Sequence, residues 1–176
     1  MADVTISSLP IGTPSGNVVI PYSDGSNTYT ARPSAIVAAS SGSILQVATG
    51  TYTTAQTNNS QSVYVDMGLQ ATINPKSTTS TILINLSIPC FSSTGSGDVY
   101  MDLNLVRNST TIQYLGAYGV GGSATVQYNT FNKSYIDTLG VLGSFTYKVQ
   151  VKGNSGTNQT CPGNTQAVMT IWEIAG

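Results

Sequence analysis

From Ile44 onward, apolar side chains recur at every second position in short runs separated by Gly, Ser, Asn and Thr. The cleanest run spans Thr81 to Ile88, with Ile82, Ile84, Leu86 and Ile88 on one side of an extended chain. Val99, Met101, Leu103 and Leu105 alternate with Tyr100, Asp102 and Asn104. Phe145, Tyr147, Val149 and Val151 alternate with Thr146, Lys148, Gln150 and Lys152. A period of two marks a strand with one buried face, and it cannot form the stripe of an amphipathic helix. Further runs open at Ile44–Ala48 and Val63–Met67, weaker ones cover Thr110–Leu115 and Ala124–Tyr128, and the last is Ala167–Ile174. About eight short strands with intervening turns and no long amphipathic helix predict an all-β fold, an antiparallel β-sandwich or jelly roll. The last run is apolar enough to belong in the middle of a sheet, because an apolar edge would template aggregation.

Residues 1–42 follow another pattern, and the chain divides into an N-terminal arm, 1–42, and a sandwich domain, 43–176. Val4-Thr5-Ile6 is a short β-like run, and Leu9 to Gly16 is punctuated by Pro and Gly and so extended or irregular. Asn17–Tyr22 and Asn27–Ala31 flank Asp24-Gly25, a turn signal for a small hairpin. Pro33 suits a first helical turn, so Arg32–Ala39 is read as one short helix. An arm of this size cannot bury a core of its own. Its apolar residues Val4, Ile6, Leu9, Val18, Val19, Ile20, Tyr22, Ile36 and Val37 therefore form a candidate anchor that needs a partner surface.

Charged residues make up only 7% of the chain and the net charge is -1. That balance gives no basic patch for nucleic acid or an anionic membrane, and little repulsion between copies. No run approaches the ~20 apolar residues that span a bilayer, so no membrane insertion is expected. The N-terminal residues lack the pattern of a secretory signal, which points to synthesis in a cytoplasm. Cys90 and Cys161 would stay reduced there and could pair in oxidising surroundings.

Histidine is absent, which removes the commonest general base and neutral metal ligand. Two cysteines are too few for a zinc site. Asp98 and Asp102 would share a strand face roughly 13 Å apart, too far for a glycosidase pair. Glu173 alternates with Met169 and Ile171 and so points inward, where Arg107 or Lys148 would neutralise it. Hydroxyls abound, yet a hydroxyl without a base is a poor nucleophile. The glycines from Gly116 to Gly122 open no helix and make no phosphate loop. Asn-x-Ser/Thr triplets such as Asn85-Leu86-Ser87 are chance matches in a chain this rich in those residues. The expectation is a protein without catalytic, cofactor or metal residues. Ten tyrosines stand against three phenylalanines, and Tyr114, Tyr118 and Tyr128 surround the glycine-rich segment. They are either a recognition surface or packing between strands and subunits.

The opening A-D-V-T-I-S-S-L-P with I-P-Y-S-D-G-S-N-T-Y-T-A-R-P-S-A-I resembles the N-terminal attachment segment of bacteriophage virion appendage proteins, the head-fibre, decoration and short tail-fibre type. The ending A-V-M-T-I-W-E-I-A-G is similar to the last strand of their jelly-roll modules, which are like tumour-necrosis-factor (TNF) and C1q heads. This resemblance implies a homotrimer on the virion, assembled in the host cytoplasm. Residues 1–42 would dock on capsid or tail proteins and the jelly roll would point outward. No shaft repeats separate arm from head, which favours a short head fibre or capsid decoration protein. The alternative is a receptor-binding or carbohydrate-binding tail-fibre module that takes host surface glycans through its tyrosines.

Overall fold

Twelve strands account for nearly all regular structure in the computed structural model, which describes residues 20–23, 28–31, 41–58, 63–94, 97–122, 125–154 and 156–176. The chain divides into two units, Met1–Ser43 and Ile44–Gly176. In the first, β1 (Ile20–Ser23) pairs antiparallel with β2 (Thr28–Ala31), the hairpin suggested by the sequence. The anchor residues Val4, Ile6, Leu9, Val18, Val19, Ile36 and Val37 and the helix expected over Arg32–Ala39 lie outside the described residues.

The second unit contains β3 (Ile44–Tyr52), β4 (Gln56–Thr57), β5 (Val65–Ile73), β6 (Thr81–Thr94), β7 (Val99–Arg107) and β8 (Thr110–Val120). It continues with β9 (Thr125–Thr138), β10 (Phe145–Gly153), β11 (Thr157–Thr160) and β12 (Ala167–Ile174). A four-stranded sheet runs β5-β10-β7-β8. In the larger sheet β6 pairs with β9 along one edge and with β12 and β11 along the other; β3 lies beyond β12 and β4 beyond β11. Setting aside the short β4 and β11, the strand orders are first-eighth-third-sixth and second-seventh-fourth-fifth. That antiparallel arrangement is a jelly roll. The apolar β12 lies between β3 and β6, in mid-sheet as its composition requires.

The core forms because the alternating residues of both sheets face each other. Ile82, Ile84, Leu86 and Ile88 of β6 and Met169 and Ile171 of β12 are buried with Met101, Leu103 and Leu105 of β7 and Tyr147, Val149 and Val151 of β10. Full burial of one such side chain is worth about 1.5–3 kcal/mol. β9 runs to Thr138, far past the Tyr128 end expected from sequence. Its second half, F-N-K-S-Y-I-D-T, looks polar because, among the described strands, β9 pairs with β6 alone, so its side chains are less fully covered. Phe131 and Tyr135 still pack on the core. β5 is also longer than expected, extending to Ile73. Gly68 carries a φ of 89°, and a Cβ there would come within 2.3 Å of the Tyr52 ring. Around it the pairing with β10 shifts register, which sets Asp66 opposite Gln150.

Two carboxylates are buried. Asp137 of β9 receives three hydrogen bonds from the opposite sheet: Arg107 Nη1 at 2.7 and 3.0 Å, and the Tyr147 hydroxyl at 2.7 Å. Arg107 is thus committed to Asp137, and Lys148 to Asp66 on an outer face. Glu173 points inward as expected, but neither of those cations is its partner. Its Oε1 accepts the backbone N–H of Lys76 at 2.6 Å and of Ser77 at 3.2 Å, and its Oε2 accepts Gln46 Nε2 at 2.6 Å. One carboxylate thereby ties the β5–β6 loop to β3 and β12. Burial alone would raise the Glu173 pKa; the bonds from Gln46, Lys76 and Ser77 outweigh it and hold the group below its ordinary value of 4.5.

Because Glu173 is more acidic in the folded chain, the unfolded chain binds more protons as pH falls through that range. Glu173 therefore adds stability above pH 4.5 that is lost as pH drops through its lowered folded value. Urea unfolding from pH 7 to pH 3 is expected to show Glu173→Gln destabilised by about 1–3 kcal/mol at pH 7, with a shallower loss on acidification than the parent.

Candidate functional site

The outer face of the four-stranded sheet gathers two ion pairs and three tyrosines. The register places Asp66, Gln150, Asn104 and Tyr114 in one row across β5, β10, β7 and β8. In the next row Lys152 lies opposite Asp102, which faces Ala117. Tyr100, two residues before Asp102, faces Gly119. The β7–β8 hairpin that fixes this register turns at Asn108, whose φ of 55° suits a tight two-residue connection. Asn108 is held by Thr146, which accepts from the Asn108 backbone N–H at 2.7 Å and donates its own N–H to Asn108 Oδ1 at 3.0 Å.

Hydrogen bonds pin these side chains to one another. Tyr114 donates its hydroxyl to Asp102 Oδ1 at 2.8 Å. Lys152 Nζ approaches Asp102 Oδ2 at 3.6 Å and stands 4.9 Å from the centre of the Tyr64 ring. Lys148 Nζ and Gln150 Nε2 donate to the two oxygens of Asp66, at 2.7 and 2.6 Å. Asn154 accepts the Tyr100 backbone N–H at 2.7 Å. Partial burial and the bond to Asp102 push the Tyr114 pKa up to about 12, so its hydroxyl stays a donor at neutral pH. The Lys148 ammonium and Gln150 amide outweigh desolvation and hold the Asp66 carboxyl below its usual range. Tyr100 and Tyr114 remain 42% and 51% exposed. The face thus offers fixed aromatic surface beside acceptors and donors of balanced charge. Among the described residues, no three His, Cys, Asp and Glu side chains are grouped to hold a metal ion.

The three tyrosines grouped by sequence proximity occupy separate environments. Tyr114 belongs to the face just described. Tyr118 packs against the core, and its hydroxyl donates to Gln127 O at 3.3 Å. Tyr128 lies on the outer face of the larger sheet, its ring 4.7 Å from that of Phe91. Tyr64 and Tyr100 join Tyr114 instead. The signal for Tyr100 was present in the alternation of β7, which sets it beside Asp102 and Asn104. Asp98 immediately precedes β7, and Asp102 within that strand is committed to Tyr114 and Lys152. Cys90 and Cys161 are buried free thiols; the Cys161 N–H donates to Pro89 O at 2.9 Å. Burial pushes the Cys90 thiol up to about 12 and makes it a poor nucleophile.

The larger sheet presents an opposite chemistry. Val47, Trp172, Leu83 and Ile136 form a row across β3, β12, β6 and β9. Phe91, Tyr128 and Val126 make a second apolar patch farther along β6 and β9. Between them Asn85, Ser87, Asn132, Lys133, Ser134 and Thr170 line a depression of about 440 Å³. By register the outward positions of these four strands are uncharged in the described part of the chain, and the exposed Lys133 of β9 reaches the rim of the depression.

No family model matches the chain, and no curated protein matches it. Among solved structures it is similar to Eiger TNF from S. frugiperda, with 7% identity, a TM-score of 0.40 and coverage of 73% of this chain and 92% of that one. It is also similar to the VP2 subviral particle of infectious bursal disease virus, with 16% identity and a TM-score of 0.42. That match covers 90% of this chain and spans 38% of the VP2 chain.

The exposed cluster and the buried one should differ in energetic weight. Tyr100→Ala, Asp66→Ala and Lys152→Ala are each expected to change unfolding free energy by less than about 1 kcal/mol. Asp137→Ala, which strands Arg107 and Tyr147, is expected to cost about 3–5 kcal/mol in the same denaturation measurement.

Proposed function

We propose that this protein is a non-enzymatic structural component of a virion, a self-associating jelly-roll head carried by its N-terminal segment. The observation that carries this reading is the pair of exposed apolar patches on the outer face of the larger sheet. Val47 and Ile136 are 53% and 63% exposed in the single chain, in one row with Trp172 and Leu83. Apolar patches rimmed by polar residues mark interaction surfaces. A chain with a net charge of -1 sets up little repulsion between copies. The polar depression between the patches offers amide and hydroxyl groups to a facing surface, as the wet part of an interface does.

Three copies is the number implied by the resemblance of the closing strand to TNF- and C1q-like heads. The same resemblance at the opening residues supports docking of residues 1–42 on capsid or tail proteins of a phage particle. A short head fibre or decoration protein fits a chain in which the head follows the arm within a few residues. Such a protein is made in the host cytoplasm and works in the virion.

Sedimentation velocity of the full chain at micromolar concentration is expected to give a trimer. Val47→Lys combined with Ile136→Lys, at two exposed positions, is expected to give a folded monomer. A parent chain that sediments as a monomer would contradict the proposal.

A further inference from the structure

We infer that the outer face of the four-stranded sheet is a carbohydrate-binding site for a neutral oligosaccharide, formed by Tyr64, Tyr100 and Tyr114 with Asp102, Lys152 and Gln150. A pyranose ring has an apolar face of C–H groups and an edge of hydroxyls. It needs aromatic surface for the first and closely set donors and acceptors for the second. Tyrosine supplies large amphipathic contact area at low entropic cost. Here three tyrosines come from three different segments: the approach to β5, β7 and β8.

The polar groups match a hydroxyl edge in type and number. Asp102 and Asp66 are acceptors; Lys152, Lys148 and Gln150 are donors. The charges of the two pairs, Asp66–Lys148 and Asp102–Lys152, cancel, which suits an uncharged sugar. The groups are already oriented by one another: Tyr114 by Asp102, Lys152 by Asp102 and the Tyr64 ring, Gln150 by Asp66. Little side-chain freedom is then lost on binding, which is where preorganised sites gain affinity. The side chains facing Asp102 and Tyr100 from β8 are only Ala117 and Gly119. An alanine at 119 would come within 2.2 Å of Val99 O, so glycine is required for β8 to lie this close. This face is on the other sheet from the surface proposed for self-association, and the two readings stand or fall separately.

The test uses the full chain with a C-terminal affinity tag on an array of neutral oligosaccharides, followed by calorimetric titration of the strongest hit. Binding is expected, with Tyr100→Ala and Tyr114→Ala each weakening it by about tenfold or more, the scale of an aromatic hot spot. Tyr114→Phe, which keeps the ring, is expected to stay within about threefold of the parent. Unchanged sedimentation and melting of the variants separate loss of binding from loss of assembly or fold. An array without a hit would overturn the inference and leave the face to a protein partner. Hits that the Tyr100→Ala, Tyr114→Ala double variant retains would overturn it as well.

Discussion

Every second side chain of β6, from Ile82 to Thr94, points into the space between the sheets, and the strand is paired along both edges. β9 follows it for all fourteen residues on one side, while β12 and β11 share the other. This pairing sets which face of the larger sheet is core and which is surface. A slip of one residue would send Leu83, Asn85 and Ser87 inward and expose Ile82, Ile84 and Leu86. The same alternation in β7 and β10 supplies the opposing wall, and Asp137 with Arg107 and Tyr147 links the two walls. The buried Glu173 then fastens the loop that leads into β6.

A sandwich has two outer surfaces, and here they differ in kind. One carries hydroxyls, amides and apolar rows, with Lys133 at the rim of its depression. The other carries Asp66, Asp102, Lys148 and Lys152, four of the chain's 13 formal charges (6 basic and 7 acidic). Two further carboxylates, Asp137 and Glu173, are buried and serve the fold. Charge is paired on one face and in the core, leaving the other broad face with little of it. The proposed self-association through one side and the proposed sugar recognition on the other both draw on that separation.

Much of the sandwich was legible in the sequence because burial on one face writes a period of two. Ile82–Ile88, Val99–Leu105, Phe145–Val151 and the closing strand stand where the alternation puts them. The longer reach of β9 was hidden, since a strand with one neighbour in its sheet carries Asn132, Lys133 and Ser134 without penalty. The partners of Glu173 were hidden because they are backbone N–H groups of a loop and an amide, none of which has a sequence signature. The tyrosine cluster was only half legible. Proximity along the chain grouped Tyr114 with Tyr118 and Tyr128, whereas register across four strands decides the neighbours and brings in Tyr64 and Tyr100.

Residue-resolved labelling of tyrosines in the native full chain, by nitration followed by mass spectrometry across a dilution series, tests the division of faces most directly. Tyr128 is 69% exposed in the single chain, more than Tyr114 at 51%. The account predicts that Tyr128 is protected at concentrations where the chain is assembled and becomes reactive on dilution, while Tyr100 and Tyr114 react throughout. Tyr128 labelled as fast as Tyr114 at every concentration would contradict it, as would protection of Tyr100 and Tyr114 on assembly.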